Sequence, residues 1–435
     1  MNLIKHKYIY RLLQNRVIIF FVKLPLVIAF IFIIFSGLFG SAYRNISSFI
    51  VGPTWLLFIS ILALLGGKLW CLICPWNTLS DWVQNVCFPK GKSKSLNLKV
   101  PGQVRNLWIA ILFFILIIWL EYSIQMTDKA RLIAYLAMIA FGVTFISALL
   151  FQRKSFCRYG CPVGAICGLY GLFAPLELRS ADKNTCQSCL TKDCIKGNEK
   201  GGPCPVFEYP GTMDDHLNCI LCTECVRTCP NDNIALNIRP PAADLLKFKL
   251  LSFAEVFMIV AMIALSIFGS LNMSALESVH NVIFSFLSVP ESVAHLLLMA
   301  TFLLMIITLF YLLSFVSRLN INRIVYTFLP IALFNHFANT LKLMNIKAEE
   351  VISLISDPFG LSWNLFGTAT HVPKHLFTAD KLILIAGPLM IIGLLYSAYL
   401  AYWLAKVNCK SKTTVILFLV PMVLMVSFNW WLIPR

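Results

Sequence analysis

Cys219-x2-Cys222-x2-Cys225-x3-Cys229-Pro230 is a run of four soft sulfur donors at the spacing of a bacterial-type [4Fe–4S] ferredoxin. Thiolates so close together suit an iron–sulfur cube better than a hard cation. Where two such runs occur, the fourth cysteine of each reaches across to the other cluster. A second run stands just upstream: Cys186-x2-Cys189-x4-Cys194, then Cys204-Pro205. The crossing rule gives one cube to Cys186, Cys189, Cys194 and Cys229, and the other to Cys204, Cys219, Cys222 and Cys225. Structural zinc and disulfides are the alternatives, and eight thiols with two Cys-Pro endings fit paired zinc knuckles poorly. The chemistry expected of this pattern is electron transfer.

A second cysteine set falls where apolar runs end. Cys71-x2-Cys74-Pro75 closes one run and Cys157-x3-Cys161-Pro162 follows another. Proline after the last cysteine ends a helix and turns the chain. Four thiols thereby gather, either to bind a further metal or iron–sulfur centre or to take part in thiol redox chemistry. Packing is the plainer alternative, because free cysteine is often buried. Cys87, Cys167 and Cys409 belong to no motif and read as structural, with Cys87 and Cys167 as possible substitute ligands.

The elements that must position these thiols are set by composition. Hydrophobic residues make up 59% of 435 residues and only 13% are charged, more apolar surface than a soluble fold can hide. Nine runs are long and apolar enough to cross a bilayer: 17–40, 52–71, 106–125, 132–151, 248–270, 293–316, 324–343, 381–405 and 413–432. The expected fold is an all-α polytopic membrane protein of about nine transmembrane helices, with a small ferredoxin-like bis-[4Fe–4S] insertion. Its parts are a basic interfacial helix at 1–16, helices 1–4 in 17–151, the cytoplasmic iron–sulfur region in 152–246, and helices 5–9 in 247–435. In the first segment Lys5, Lys7, Arg11 and Arg16 stand against Leu3, Ile4, Tyr8 and Leu12, the pattern of a helix lying on lipid. Lys23 and Lys68 fall near run ends, where long cations snorkel to the surface. The first run is too long for a cleavable signal and lacks an obvious cleavage site, so it is expected to remain.

The net charge of +16 suggests nucleic-acid binding only until it is mapped onto the runs. With the N-terminus in the cytoplasm, the inner segments carry the N-terminal cations, the lysine-rich 90–105 loop and the whole cysteine stretch. Arg318, Arg323, Lys406, Lys410 and Lys412 are also inside. The outer loops hold few cations and much of the acid, including Glu121, Asp128, Glu277, Glu291, Glu349, Glu350, Asp357 and Asp380. This is the positive-inside bias of a bacterial inner-membrane protein with its C-terminus outside. It puts the cysteines from Cys71 to Cys229 at the cytoplasmic face, a reducing compartment where cysteines serve as metal ligands. Lipid, and no nucleic acid, is the implied partner.

The segments "GGKLWCLICPWNTLSDW" (66–82) and "SFCRYGCPVGAICGLYG" (155–171), followed by the two ferredoxin runs, resemble the NapH/NosR family of membrane polyferredoxins, which also includes CcoG/RdxA-type copper-oxidase assembly proteins. The resemblance covers about residues 15–240. Both Cys-Pro motifs of the family usually read Cys-x3-Cys-Pro, and the first one here has one residue fewer. The resemblance implies electron transfer between the quinone pool and a partner redox protein, as a quinol dehydrogenase or oxidoreductase component. It does not choose the partner. The copper branch supplies the rival reading, a metal-reducing assembly factor for a copper or haem enzyme. Met258, Met262, Met299 and Met305 scatter through the runs rather than clustering as a copper site.

Five of seven histidines follow the ferredoxin runs: His280, His295, His336, His371 and His375. His336 lies roughly 18 Å into its run at about 1.5 Å per residue, past the middle of a core of about 30 Å. Asn335, Asn339 and Lys342 form a polar stripe beside it, and His295 opens the preceding run. Polar groups at such depth face the bundle interior and often mark a site. Three readings stand: a quinone bound by His336 with His295, Asn335 and Asn339, a haem b ligated by two imidazoles, or interhelical hydrogen bonding alone. Glu255, inside the fifth run, reads either as a proton carrier or as a carboxylate paired near the inner edge. Two amphipathic outer segments, 277–290 and 351–367, flank these runs. No P-loop, nucleophile elbow or HExxH suggests hydrolytic chemistry.

Overall fold

A computed structural model describes residues 2–43, 45–87, 95–247, 251–270, 289–409 and 411–432. His280 and residues 277–288 of the first outer segment lie outside them, as do residues 88–94 of the lysine-rich loop. The described chain is mostly helical. All nine apolar runs are helices: α2 (Arg16–Phe39), α3 (Ile46–Gly66), α6 (Trp108–Ile124), α7 (Ala130–Leu150), α13 (Phe253–Ser270), α14 (Glu291–Ser317), α15 (Ile321–Lys347), α17 (Ala379–Val407) and α18 (Lys412–Leu432). Among the described residues, seven of them are long and apolar enough to cross a membrane, while α6 and α13 are shorter apolar helices. In α2 the outward residues are themselves apolar, including Phe20, Phe21, Ile28, Ile31 and Phe35. A helix apolar all round with exposed Phe and Ile is suited to lipid rather than water.

The chain divides into two compact units. One comprises Met1–Phe32, Ile61–Ala110 and Leu136–Asp244, and the other Ile33–Ser60, Ile111–Tyr135 and Leu245–Arg435. Every cysteine except Cys409 belongs to the first. That unit includes the short helices α1 (Lys7–Gln14), α4 (Leu69–Ile73), α5 (Pro75–Cys87), α8 (Ser155–Tyr159), α9 (Pro162–Gly171), α10 (Lys183–Gln187), α11 (Asp193–Lys196) and α12 (Glu224–Thr228). It also holds a two-stranded antiparallel sheet of β1 (Leu176–Ser180) and β2 (Ile234–Ile238), with Leu178 opposite Leu236. Leu178, Ile234, Leu221 and Val226 form the small core under the ferredoxin runs.

The N-terminal segment, expected on a lipid surface, also packs against protein. Ile4 and Tyr10 pack against the ferredoxin core, and the Tyr10 hydroxyl donates to Asp232 at 3.1 Å. The open carbonyls at the C-terminus of α1 are capped: Arg227 donates to Leu13 at 3.0 Å and to Gln14 at 3.1 Å, and Thr223 to Leu13 at 3.0 Å. A cation at that end also complements the helix dipole. The amphipathic pattern buries a face against protein, while Tyr8 and Leu12 remain exposed.

In the second unit α15 is the central helix, with 78% of its apolar window buried, and it packs chiefly against α17. Pro330 interrupts its ladder, and the Ile331 N–H donates to Ser397 of α17 at 3.3 Å. A neighbouring hydroxyl of this kind satisfies backbone groups freed by proline in apolar surroundings. Phe268 of α13 packs with Leu298 and Met299 of α14 and with Trp119 and Tyr122 of α6. Met258, Met262 and Met299 are buried packing residues. Glu255 is in the first turn of α13, where its carboxylate accepts the Ser252 N–H at 2.7 Å while its own N–H donates to the Ser252 hydroxyl at 3.3 Å. This reciprocal pair is a capping box, so Glu255 starts the helix rather than sitting deep within it. α16 (Glu350–Ser356) and the turns after it make up the amphipathic segment at 351–367, and the Phe359 carbonyl accepts the Ser41 N–H at 2.7 Å.

Candidate iron–sulfur and thiol site

The structure brings the eight ferredoxin cysteines together as two groups. The thiols that act electrostatically on Cys194 are those of Cys229, Cys186 and Cys189. Those that act on Cys225 are Cys222, Cys219 and Cys204, then Cys194 of the other group. Cys204 likewise acts on Cys219 and Cys222. Burial pushes the Cys194 and Cys222 thiols up to about 11 and that of Cys219 to about 12. Among the described residues no three His, Cys, Asp or Glu side chains converge closely enough to hold a single ion. A cube meets its four thiolates at four separate irons, so its ligands are spread around a body rather than a point.

Local backbone geometry shapes the ligand loops. Leu221 and Thr223, on either side of Cys222, are left-handed at φ +55° and +60°, and such non-glycine positions persist where surroundings hold them. Thr223 is held through Leu13 and Arg227. Asn233 is a residue that the cysteine spacing does not reveal. Its backbone N–H donates to the Cys229 sulfur and its side-chain amide to the Cys186 sulfur, both at 3.3 Å. One residue thus bonds two sulfurs of the first group. The Glu208 N–H donates to the Cys204 sulfur at 3.3 Å in the second group. Donors aimed at sulfur are one of the protein's means of setting cluster potential.

The two Cys-Pro motifs also meet. Cys157 and Cys161 act on both Cys71 and Cys74, and Cys167, which has no motif, joins them beside Cys71. Two glycines allow the approach. Gly67, just past the end of α3, is in the left-handed region at φ +59°, and a Cβ there would lie 2.3 Å from the Gly171 Cα. This close backbone contact brings α4, with Cys71, against α9, with Cys167. Burial raises the thiols of all five, those of Cys157 and Cys167 to about 12. Lys68, expected to snorkel, is instead 2% exposed beside these sulfurs.

Cations after α7 tie this group to the ferredoxin loops. Arg153 donates to the Cys204 carbonyl at 2.9 Å and to the Ile195 carbonyl at 2.8 Å. Lys154 pairs with Asp81 at 2.8 Å, and Arg158 with Glu208 at 2.9 Å. A cavity of about 300 Å³ opens beside Cys222, walled by Phe20 and Trp82 and edged by Lys23, Lys154 and Asp81. That is the lower end of small-ligand pocket sizes.

The histidine candidates belong to the other unit. His295 on α14 and His336 on α15 are half-buried, as is Asn339, while Asn335 is buried. The Asn335 side-chain oxygen has no hydrogen-bond partner among the described residues, and the His336 carbonyl accepts the Thr340 hydroxyl at 2.8 Å. His371 lies 3.5 Å from Glu349, and His375 is exposed. Cys409 is exposed too.

Comparison with known proteins converges on the same chemistry. A family model described as a 4Fe-4S binding domain matches residues 48–95 and 133–177, the segments that carry the Cys-Pro motifs. The regulatory protein NosR of Stutzerimonas stutzeri is 27% identical over 41% of this chain and 26% of its own length. The putative electron transport protein YccM of Escherichia coli is 28% identical over 44% of this chain and 57% of its own. The ferredoxin-type protein NapH of Escherichia coli is 23% identical over 43% and 69%. No solved structure matches. Apolar helices, a 4Fe-4S domain and these relatives define a multi-pass membrane iron–sulfur protein of the electron-transfer class. Within that class, the chain is similar to membrane polyferredoxin-type proteins such as NapH and NosR.

Proposed function

We propose that the protein moves electrons between the membrane quinone pool and a partner redox protein. Cys186, Cys189, Cys194 and Cys229 would hold one [4Fe–4S] cluster and Cys204, Cys219, Cys222 and Cys225 a second. Cys71, Cys74, Cys157 and Cys161 would hold a further metal or iron–sulfur centre. The observation that carries this reading is the sorting of eight thiols into two groups, linked where Cys194 acts on Cys225. Bound clusters supply one-electron chemistry, and the protein supplies position and potential. Asn233 and Glu208 direct N–H groups at ligand sulfurs, which favours the more negative, reduced state. Thiols raised by burial keep their protons at neutral pH until metal displaces them, so loading releases protons and strengthens as pH rises.

We place the N-terminus and the iron–sulfur region in the cytoplasm and the C-terminus outside a bacterial inner membrane, on the distribution of cations. A reporter fused after Arg435 is expected to be active only on export; activity only in the cytoplasm reverses the orientation. His336, with His295, Asn335 and Asn339, is proposed as the quinone site. The buried Asn335 oxygen without a partner supports it, because such a group costs free energy in apolar surroundings. Added quinol should reduce the clusters of the wild type. His336→Ala should lose that reduction while dithionite still reduces them. A Soret band that vanishes in the same variant would assign haem b instead. Unchanged quinol kinetics in both His295→Ala and His336→Ala would leave these histidines as packing groups.

A further inference from the structure

We propose that the cavity beside Cys222 binds the phosphate headgroup of an acidic phospholipid, with Lys23 and Arg16 as its counter-charges. The site stands whether or not the cysteines hold clusters.

Its first wall is one helix face. Arg16, Ile19, Phe20 and Lys23 line the cavity, and their i, i+3, i+4, i+7 spacing places them in one stripe at the N-terminal end of α2. The other walls come from Trp82 and Asp81 of α5 and from Ile220 and Cys222 of the ferredoxin loops. The Phe20 and Trp82 rings stand 5.2 Å apart between centroids. Beside the stripe, α2 is apolar and exposed, with Val17 at 59% and Phe21 at 61%. A charged cavity therefore lies at the foot of a helix surface suited to lipid chains.

Four cations line the cavity, Arg16, Lys23, Lys154 and Arg227, against two carboxylates, Asp81 and Glu224. Lys154 is held by Asp81 at 2.8 Å. Arg227 pairs with Glu224 and donates to the Leu13 and Gln14 carbonyls of α1. Arg16 reaches Glu224 only at 3.7 Å, and its side chain is 61% exposed. Lys23 has neither a carboxylate nor a hydrogen-bond acceptor among the described residues. A half-buried cation in apolar surroundings calls for an anion. An uncharged ligand such as a quinone would leave Lys23 unbalanced. About 300 Å³ is room for a headgroup but not for its acyl chains, which the exposed apolar side of α2 would receive. Basic pockets between transmembrane helices bind acidic lipid headgroups in this way.

The test uses full-length protein purified in an uncharged detergent and stripped of lipid, with phosphatidylglycerol binding followed by native mass spectrometry. A single tightly held phosphatidylglycerol per chain is expected, and phosphatidylcholine with the same acyl chains should bind more weakly. Lys23→Gln and Arg16→Gln should each weaken phosphatidylglycerol about fivefold, the worth of one cation near an anionic headgroup. Arg16 is exposed enough that its variant tests the site even if Lys23→Gln fails to fold. Lys23→Arg, which keeps the charge, should bind as the wild type does, and so should Lys412→Gln, a lysine at the start of α18. Inorganic phosphate alone should neither raise the thermal midpoint nor displace the lipid. Unchanged binding in both Lys23→Gln and Arg16→Gln overturns the proposal. Equal losses in Lys23→Gln and Lys412→Gln do so as well, because they mark diffuse charge attraction. Displacement of the lipid by inorganic phosphate would assign the cavity to a free anion, and displacement by an uncharged quinone analogue would assign it to a quinone; either result also overturns the lipid site.

Discussion

Cys222→Ser is expected to cost the purified protein about half of its ferredoxin-type iron, four of about eight atoms if two cubes are present. Cys189→Ser should remove the other half. The two losses should add in the double variant, because the two residues belong to different groups. Cys229 and Cys204 give the sharper form of the test. Read by sequence order alone, Cys229 belongs with Cys222. In the structure it acts on Cys194, and Asn233 bonds both Cys229 and Cys186. Cys229→Ser should therefore abolish the same EPR species as Cys189→Ser, and Cys204→Ser the same species as Cys222→Ser. Pairing by sequence order instead would show the crossed assignment to be wrong.

Gly67→Ala is expected to be the most damaging substitution outside the cysteines. The new Cβ would lie 2.3 Å from the Gly171 Cα and 2.9 Å from its nitrogen, and backbone cannot rotate away as a side chain can. The left-handed backbone alone costs an alanine roughly 1–2 kcal/mol, and overpacking adds about 1–3 kcal/mol. Together these reach the size at which single substitutions unfold marginal regions. The contact joins α4 to α9, so the species that depends on Cys74 and Cys161 should disappear while the ferredoxin signals persist. Gly102→Ala is the control, since a Cβ there meets nothing within 4 Å. Equal thermal midpoints and spectra for the two variants would contradict this account of the contact.

What the sequence shows about this chain is its local spacing. Nine apolar runs appear as nine helices, with ends displaced by a few residues, because run length alone identifies them. The cysteine runs are visible for the same reason: four ligands and their turns lie within a dozen residues. Groups that act across long separations are not visible. Asn233 bonds Cys186 from 47 positions away, and Gly67 meets Gly171 through a contact that no period encodes. Lys68 looks like a snorkelling cation until the helix end that carries it is packed against α9. The N-terminal helix shows a further limit. Its amphipathic pattern states that one face will be buried, not whether lipid or the ferredoxin core will cover it. Ser252-x-x-Glu255 is different, since its capping signal is present in the sequence, at the edge of an apolar run that hides it.

The most direct measurement is a count of iron, zinc and acid-labile sulfide in the full-length protein, purified without oxygen and normalised to amino-acid analysis. The account predicts about eight iron atoms with matching sulfide for the two ferredoxin-type cubes, more if the Cys-Pro group is loaded, and an EPR signal on reduction. Iron near zero with stoichiometric zinc would contradict it.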